Sequence, residues 1–386
     1  MKILIVLTYY RPHISGLTIY AERIAKAFAR RGNQVTVLTS RFDPNLAIEE
    51  VDEGVCIIRV PVLMRLSKGV IMPSFGRQAS KLVKEHDVVQ LHLPQFDAAG
   101  VALRGRLHKK PTIITYHCDV ELPPGLFNRA ANLAVLAMNE LAAINTHRIV
   151  TYTEDYAKHS KYTRRYMRKV RVIPPPVVLP EVSEEEKVAF RKEYNPQEQE
   201  PVIGMAARFA TEKGVEVLLK AMPEVLRHHP RALFQFVGPY QNIIGEEQYY
   251  RRLEADIRRF ETSGNWKFLG SMSPAQMSAF YANLDLLVIP SLNSTEAFGL
   301  VQIEAMMNGV RCITSNLPGV RQPVLVHRMG AIFKIGDAGE LARLILDALD
   351  HPEQLQKANT DFSAYSPDMV AESYEKLFGE IATEIH

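Results

Sequence analysis

The chain has 386 residues, of which 23% are charged, yet its net charge is only +3 and its pI about 8.6. That length exceeds the ~250–300 residues at which a single core stops growing, so two domains are expected, and so weak a charge gives no reason to expect nucleic acid as a partner. Three widely spaced cysteines, Cys56, Cys118 and Cys312, exclude a disulfide framework and a thiolate metal rhythm and fit a reducing cytoplasm.

The opening run, Lys2 followed by Ile3 to Leu7, passes straight into Thr8-Tyr-Tyr-Arg-Pro-His13 without a small-residue cleavage site, so it is expected as a buried strand rather than a signal peptide. No run approaches the ~18 consecutive apolar residues that a membrane span needs. Further strands are predicted at Gln34–Leu38, Val55–Val60, Asp87–Leu91, Thr112–Tyr116, Arg148–Thr151 and Val170–Ile173, with amphipathic helices between them. Pro174-Pro-Pro-Val-Val-Leu-Pro180 cannot be helical and is expected as a stiff linker. A second alternating series follows, with strands near Val202–Ala206, Leu233–Val237, Trp266–Leu269, Leu284–Ile289, Arg311–Thr314 and Ala331–Phe333. The fold class is therefore α/β, two doubly wound parallel sheets facing across a cleft, with ligands at the carboxyl ends of strands.

Several of those strand ends carry chemistry. After the first strand, Gly16 allows main chain close to a ligand, although for Gly16 in isolation a turn glycine is the better explanation. His117, at the end of Thr112–Tyr116, can hydrogen-bond a sugar hydroxyl or reacting centre, and Asp119 can orient it or cap the next turn; Cys118 beside it points to the other face of an extended segment, which argues against a thiolate dyad. In the second half, the loop Ala207 to Gly214 supplies Arg208, a bidentate phosphate ligand, and Lys213, a compact charge, which together can neutralise a diphosphate. The most informative stretch is Ser294-Thr-Glu-Ala-Phe-Gly-Leu-Val-Gln-Ile-Glu304. A helix starting near Phe298 or Gly299 offers free N–H groups to phosphate, with Glu296 and Glu304 roughly 7–12 Å apart on either side. That arrangement suits a nucleotide-sugar, whose hydroxylated ends flank a diphosphate; it also suits a merely acidic first turn favoured by the helix dipole. Neither Gly-x-Gly-x-x-Gly, a P-loop, His-Glu-x-x-His nor Asp-x-Asp is present, so no cofactor and no metal clamp are expected.

Taken together, Arg208 with Lys213-Gly214, Glu296-x7-Glu304-Ala305 and the His117 region resemble the retaining family 4 (group 1) glycosyltransferases of the GT-B fold, over nearly the whole chain. The resemblance implies two Rossmann-like domains. The first, residues 1–174 with the last helix (about 366–386) packed back on it, takes the acceptor; the second, residues 175–365, takes the donor. Carried over, Arg208 and Lys213 hold the diphosphate, Glu304 the ribose and Glu296 the sugar near its 3- and 4-hydroxyls. Main chain at Phe298, Gly299 and Leu300 binds phosphate, main chain at Gly270, Ser271 and Met272 pairs with the base, and His117 and Gly16 approach the reacting sugar. Transfer is then front-face, the departing phosphate oxygen taking the acceptor proton. Three places depart from the family pattern: Ser15-Gly16-Leu17 has one glycine where two are common, Pro175-Pro176 replaces Asn-Gly, and Asn316-Leu-Pro-Gly-Val-Arg321 puts a cation near a usual acid.

Two basic amphipathic helices are predicted near Ser74–His86, with Arg77, Lys81 and Lys84, and near Lys158–Arg171, with Lys161, Arg165 and Arg168. Either fits a solvated face or an anionic membrane, and salt-sensitive flotation with anionic vesicles separates the two. The resulting expectation is a cytoplasmic hexosyltransferase, peripheral on the inner membrane face, using UDP- or GDP-hexose and a glycan or lipid-linked acceptor. A nucleotide-sugar epimerase, a glycoside phosphorylase and a catalytically silent sugar-nucleotide-binding protein are the alternatives on the same fold.

Overall fold

A computed structural model describes residues 1–66, 69–119, 126–241, 243, 245–351 and 358–385. The chain divides into two compact units, residues 1–177 with 363–386 and residues 178–362. In the first unit the elements run β1 (Lys2–Val6), α1 (Gly16–Arg30), β2 (Gln34–Arg41), β3 (Glu49–Asp52), β4 (Val55–Pro61), β5 (Met64–Leu66), β6 (Gly69–Ile71), α2 (Phe75–Glu85), β7 (Val88–Leu93), α3 (Ala98–Leu107), β8 (Thr112–Tyr116), α4 (Leu126–Asn145), β9 (Arg148–Thr151), α5 (Glu154–His159) and β10 (Val170–Val172). Eight strands form one sheet in the order β10-β9-β8-β7-β1-β2-β4-β3, with β5 and β6 a separate hairpin. Every neighbouring pair in the large sheet is parallel except β3 with β4. β1 and β7 therefore adjoin although far apart in sequence, which makes the gap between them a topological switch point. Ile3 to Val6 and Val88 to Leu93 are buried on both faces, as a strand covered by helices on either side requires.

The second unit continues α6 (Glu184–Tyr194), β11 (Val202–Ala206), α7 (Val215–His228), β12 (Leu233–Val237), α8 (Glu247–Thr262), β13 (Trp266–Gly270), α9 (Pro274–Ala282), β14 (Leu286–Ile289), α10 (Leu300–Met307), β15 (Arg311–Ser315), α11 (Gln322–His327), β16 (Gly330–Phe333) and α12 (Ala338–Asp350). Its sheet, β13-β12-β11-β14-β15-β16, is parallel throughout, with the switch point between β11 and β14. One sheet face buries Ile203, Met205, Phe234, Phe236, Leu286 and Val288 against apolar side chains of α7, α8 and α12. On the other face Gly204 leaves room for α9, since a Cβ there would stand 2.8 Å from Phe280 Cζ.

The last helix, α13 (Pro367–Ile385), belongs to the first unit. Its Tyr374 hydroxyl lies 2.6 Å from that of Tyr20 on α1 and 2.9 Å from Thr115 Oγ1 on β8, all of them buried. Between the units, residues 173–182 form neither helix nor strand.

Two expectations change. Three strands were absent from the sequence reading: β3, whose Glu-Glu-Val-Asp is an acidic, largely exposed edge, and the short β5–β6 hairpin. The predicted helix near Lys158–Arg171 does not form. α5 ends at His159, Ser160 is extended (φ −62°, ψ 134°), a 3₁₀ segment with a break at Tyr166 covers Thr163–Lys169, and β10 follows. Ser160 Oγ donates to Asp119 Oδ1 (2.6 Å) and accepts from the Tyr162 and Thr163 amides, so long-range hydrogen bonding overrides the helical period, and Lys161, Arg165 and Arg168 share no helical face. α2 does form, with Phe75, Ala79, Leu82 and Val83 buried and Arg77, Lys81 and Lys84 exposed. Among the described residues no helix is long and apolar enough to cross a membrane.

Candidate active site

The carboxyl ends of β11 and β14, the two strands at the second unit's switch point, carry the main constellation. Beyond β11 the chain stays stitched to the exit of β12, Ala207 N donating to Val237 O and Phe209 N to Pro239 O, both 2.9 Å. It then makes one 3₁₀ turn, Thr211–Lys213, and enters α7 through Gly214 at φ +68°. Only glycine fits there: a Cβ would stand 2.1 Å from Pro290 O, at the exit of β14. With Leu292 N donating to Glu212 O (2.9 Å), the two loops press together. Lys213 Nζ consequently forms a short ion pair with Glu296 Oε2, both side chains about one-fifth exposed (21% and 19%). Arg208 pairs with Glu212 one turn on. Burial opposes ionisation of Glu212, but Arg208, its own backbone amide and Lys213 outweigh that and hold its carboxyl below the usual range. Each cation thus has a carboxylate partner.

The loop after β14 is shaped by Asn293, whose Oδ1 accepts from Thr295 N (3.1 Å) and Thr295 Oγ1 (2.7 Å) while its carbonyl accepts from Glu296 N (3.2 Å). Gly299 (φ +78°) then opens α10, so the helix begins within a residue of the predicted start, with no side-chain cap on its first turn. Glu304, buried at 8% exposure, accepts from the hydroxyl of Tyr281 on α9 at 2.9 Å. Gln302 donates to the carbonyls of Phe298 (2.8 Å) and Val320 (2.9 Å).

Arg208, Lys213, Glu296, Phe298, Gly299, Leu300 and Glu304 therefore stand on the loops and helix starts that leave adjacent strands on one sheet edge. Gly270, Ser271 and Met272 leave the same edge from β13, where Gly270 O accepts from Gly238 N at 2.8 Å.

The other two predicted residues lie in the first unit. Gly16 is the first residue of α1, capped by Ser15 with Thr18, and a Cβ on it meets nothing within 4 Å. His117 follows β8 and is 7% exposed, with both ring nitrogens engaged: Nε2 lies 2.8 Å from His92 Nδ1, and Nδ1 meets the Tyr152 hydroxyl. Burial, then the neighbouring His92, pulls its pKa well below the ordinary histidine value, and burial takes His92 down to about 3. Both ring nitrogens of His117 are thus engaged by side chains of the first unit. Asp119 does not orient it: Asp119 Oδ1 accepts from the Tyr116 (2.9 Å) and Ser160 hydroxyls. The turn Asp119 was expected to cap lies outside the described residues.

Tyr281, Gln302, Glu212, His92 and Tyr152 went unnoticed in the sequence. Only two gave a local sign, Glu212 four residues after Arg208 and Gln302 as a polar residue inside the apolar Leu300-Val-Gln-Ile run.

Two α/β units, the second parallel throughout and gathering Arg208, Lys213, three carboxylates and a helix start about its switch point, define a protein built on Rossmann-like domains. The profile described as "Glycosyltransferase Family 4" matches residues 14–179, and that described as "Glycosyl transferases group 1" matches residues 186–366. The chain belongs to this glycosyltransferase family. It is 26% identical over 346 residues to an uncharacterized glycosyltransferase of Methanocaldococcus jannaschii, covering 86% of this chain and 85% of that protein. It is 27% identical over 362 residues to the D-inositol 3-phosphate glycosyltransferase of Segniliparus rotundus, covering 88% and 78%. Among solved structures, Anabaena HepE in complex with UDP-glucose superimposes with a TM-score of 0.71 at 18% identity, covering 100% of this chain and 99% of that one; the likeness shows the fold, GT-B.

Proposed function

We propose that this glycosyltransferase moves a hexose from UDP- or GDP-hexose to an acceptor hydroxyl of a glycan or lipid-linked glycan, with retention of anomeric configuration and without a metal. The observation that carries the reading is the Lys213–Glu296 ion pair at the β11–β14 switch point, beside the start of α10 and with Glu304 one helix turn inside it. In the proposed reaction Arg208 and Lys213 neutralise the departing diphosphate, and the N–H groups at Gly299 and Leu300 hold a phosphate. Glu304, steadied by Tyr281, accepts from the ribose hydroxyls, Glu296 accepts from the hexose, and main chain at Gly270–Met272 meets the base. The bond from the anomeric carbon to phosphate oxygen breaks, that oxygen takes the acceptor's proton, and the acceptor oxygen bonds to the same sugar face. No enzyme nucleophile is needed. The first unit is assigned the acceptor. The UDP-glucose bound by HepE supports this donor class.

A thermal-shift panel of UDP- and GDP-hexoses tests the reading. One nucleotide series is expected to raise the melting temperature with ligand concentration, at roughly 2.7 kcal/mol of stabilisation for a hundredfold excess over Kd. A melting temperature indifferent to every member would remove the proposal.

A further inference from the structure

Gln302 is the one polar residue of the first α10 turn, Leu300-Val-Gln-Ile303, and it is fully buried. Its Nε2 is spent on two main-chain carbonyls of separate loops: Phe298 O, immediately before the helix start, and Val320 O, immediately before Arg321 in the loop after β15. The Gln302 backbone is held as well, its N donating to Gly299 O (2.9 Å) and its carbonyl accepting from Cys312 Sγ (3.7 Å) on β15. Its Oε1, by contrast, is buried without a hydrogen-bond partner. A leucine or methionine would fill this core position without stranding a polar atom, so the amide is accounted for by what its nitrogen does.

We propose that Gln302 is a positioning residue for the donor diphosphate: one amide nitrogen locks the start of α10 and the 316–321 loop into a single unit, which fixes the direction of the Gly299 and Leu300 N–H groups. This rests on the reading of that helix start as the phosphate site. Space enforces the same lock from the other side, because a Cβ on Gly299 would lie 2.7 Å from Gln302 Nε2.

The test compares Gln302→Glu, which keeps the shape but cannot donate, and Gln302→Met, which removes both polar atoms, with wild type. Expected are a Kd for the nucleoside diphosphate and a KM for the nucleotide-sugar raised roughly tenfold to a hundredfold, with kcat reduced less and the acceptor KM unmoved. General loosening of the fold would raise both KM values together, and that outcome overturns the proposal. So does an unaltered diphosphate Kd in either Gln302 variant that retains the wild-type circular dichroism. If wild type itself binds no nucleoside diphosphate, the functional reading falls first; an active wild type with unaffected variants sinks only the role of Gln302.

Discussion

Replacing Lys213 with alanine is expected to lower kcat by about 10²–10³-fold, the effect of removing one preorganised group from a site where charge develops. The leaving diphosphate gains negative charge as the glycosidic bond breaks, and Lys213 is the compact cation that the β11 loop holds beside Glu296. Stability should hardly change, because a partly exposed ion pair contributes no more than about 1 kcal/mol. The loss would thus be read on folded protein. Glu296→Gln is the needed control, since Lys213→Ala also leaves Glu296 without its partner; a double-mutant cycle separates loss of the cation from release of the carboxylate. Steady-state kinetics with saturating donor provide the measurement, and an unchanged kcat would remove Lys213 from the leaving-group role.

The second large effect is structural. Gly214→Ala is expected to destabilise the protein by about 2–5 kcal/mol and to weaken donor binding at the same time. The left-handed conformation of Gly214 costs any other L-residue roughly 1–2 kcal/mol. Its new methyl group would stand 2.1 Å from Pro290 O, a main-chain atom that cannot rotate aside. The loops after β11 and β14 must then separate, adding about 1–3 kcal/mol and drawing Lys213 away from Glu296. Urea unfolding and donor titration of the same variant should therefore move together. A wild-type midpoint would show that the close approach of these loops is not needed.

How much of this was legible beforehand depended on range. Strands such as Thr112–Tyr116, Arg148–Thr151, Val202–Ala206 and Leu233–Val237 formed where their apolar, β-branched runs indicated, because a strand buried on both faces must be apolar along its length. β3 escaped because a charged edge strand looks like a loop, and the Lys158–Arg171 helix failed because Ser160 is claimed by Asp119, forty-one residues away. The site divides in the same way. Arg208, Lys213, Glu296 and Glu304 could be found because loops that follow parallel strands share one edge. The groups that steady them could not: Tyr281 reaches Glu304, and Gln302 reaches Val320, only once the helices are in place. His117 divides in the same way. Its position after β8 was visible, whereas its burial and its ring contacts with His92 and Tyr152 depend on how three strand ends assemble.

The central claim is that the exits of β11 and β14 clasp a pyrophosphate. A crystal structure with the bound nucleoside diphosphate tests it most directly. Phosphate oxygens are expected within hydrogen-bonding distance, about 2.7–3.2 Å, of Arg208, Lys213 and the Gly299 or Leu300 amides, with Glu304 on the ribose. Phosphates bound elsewhere, with the Lys213–Glu296 pair undisturbed, would contradict it.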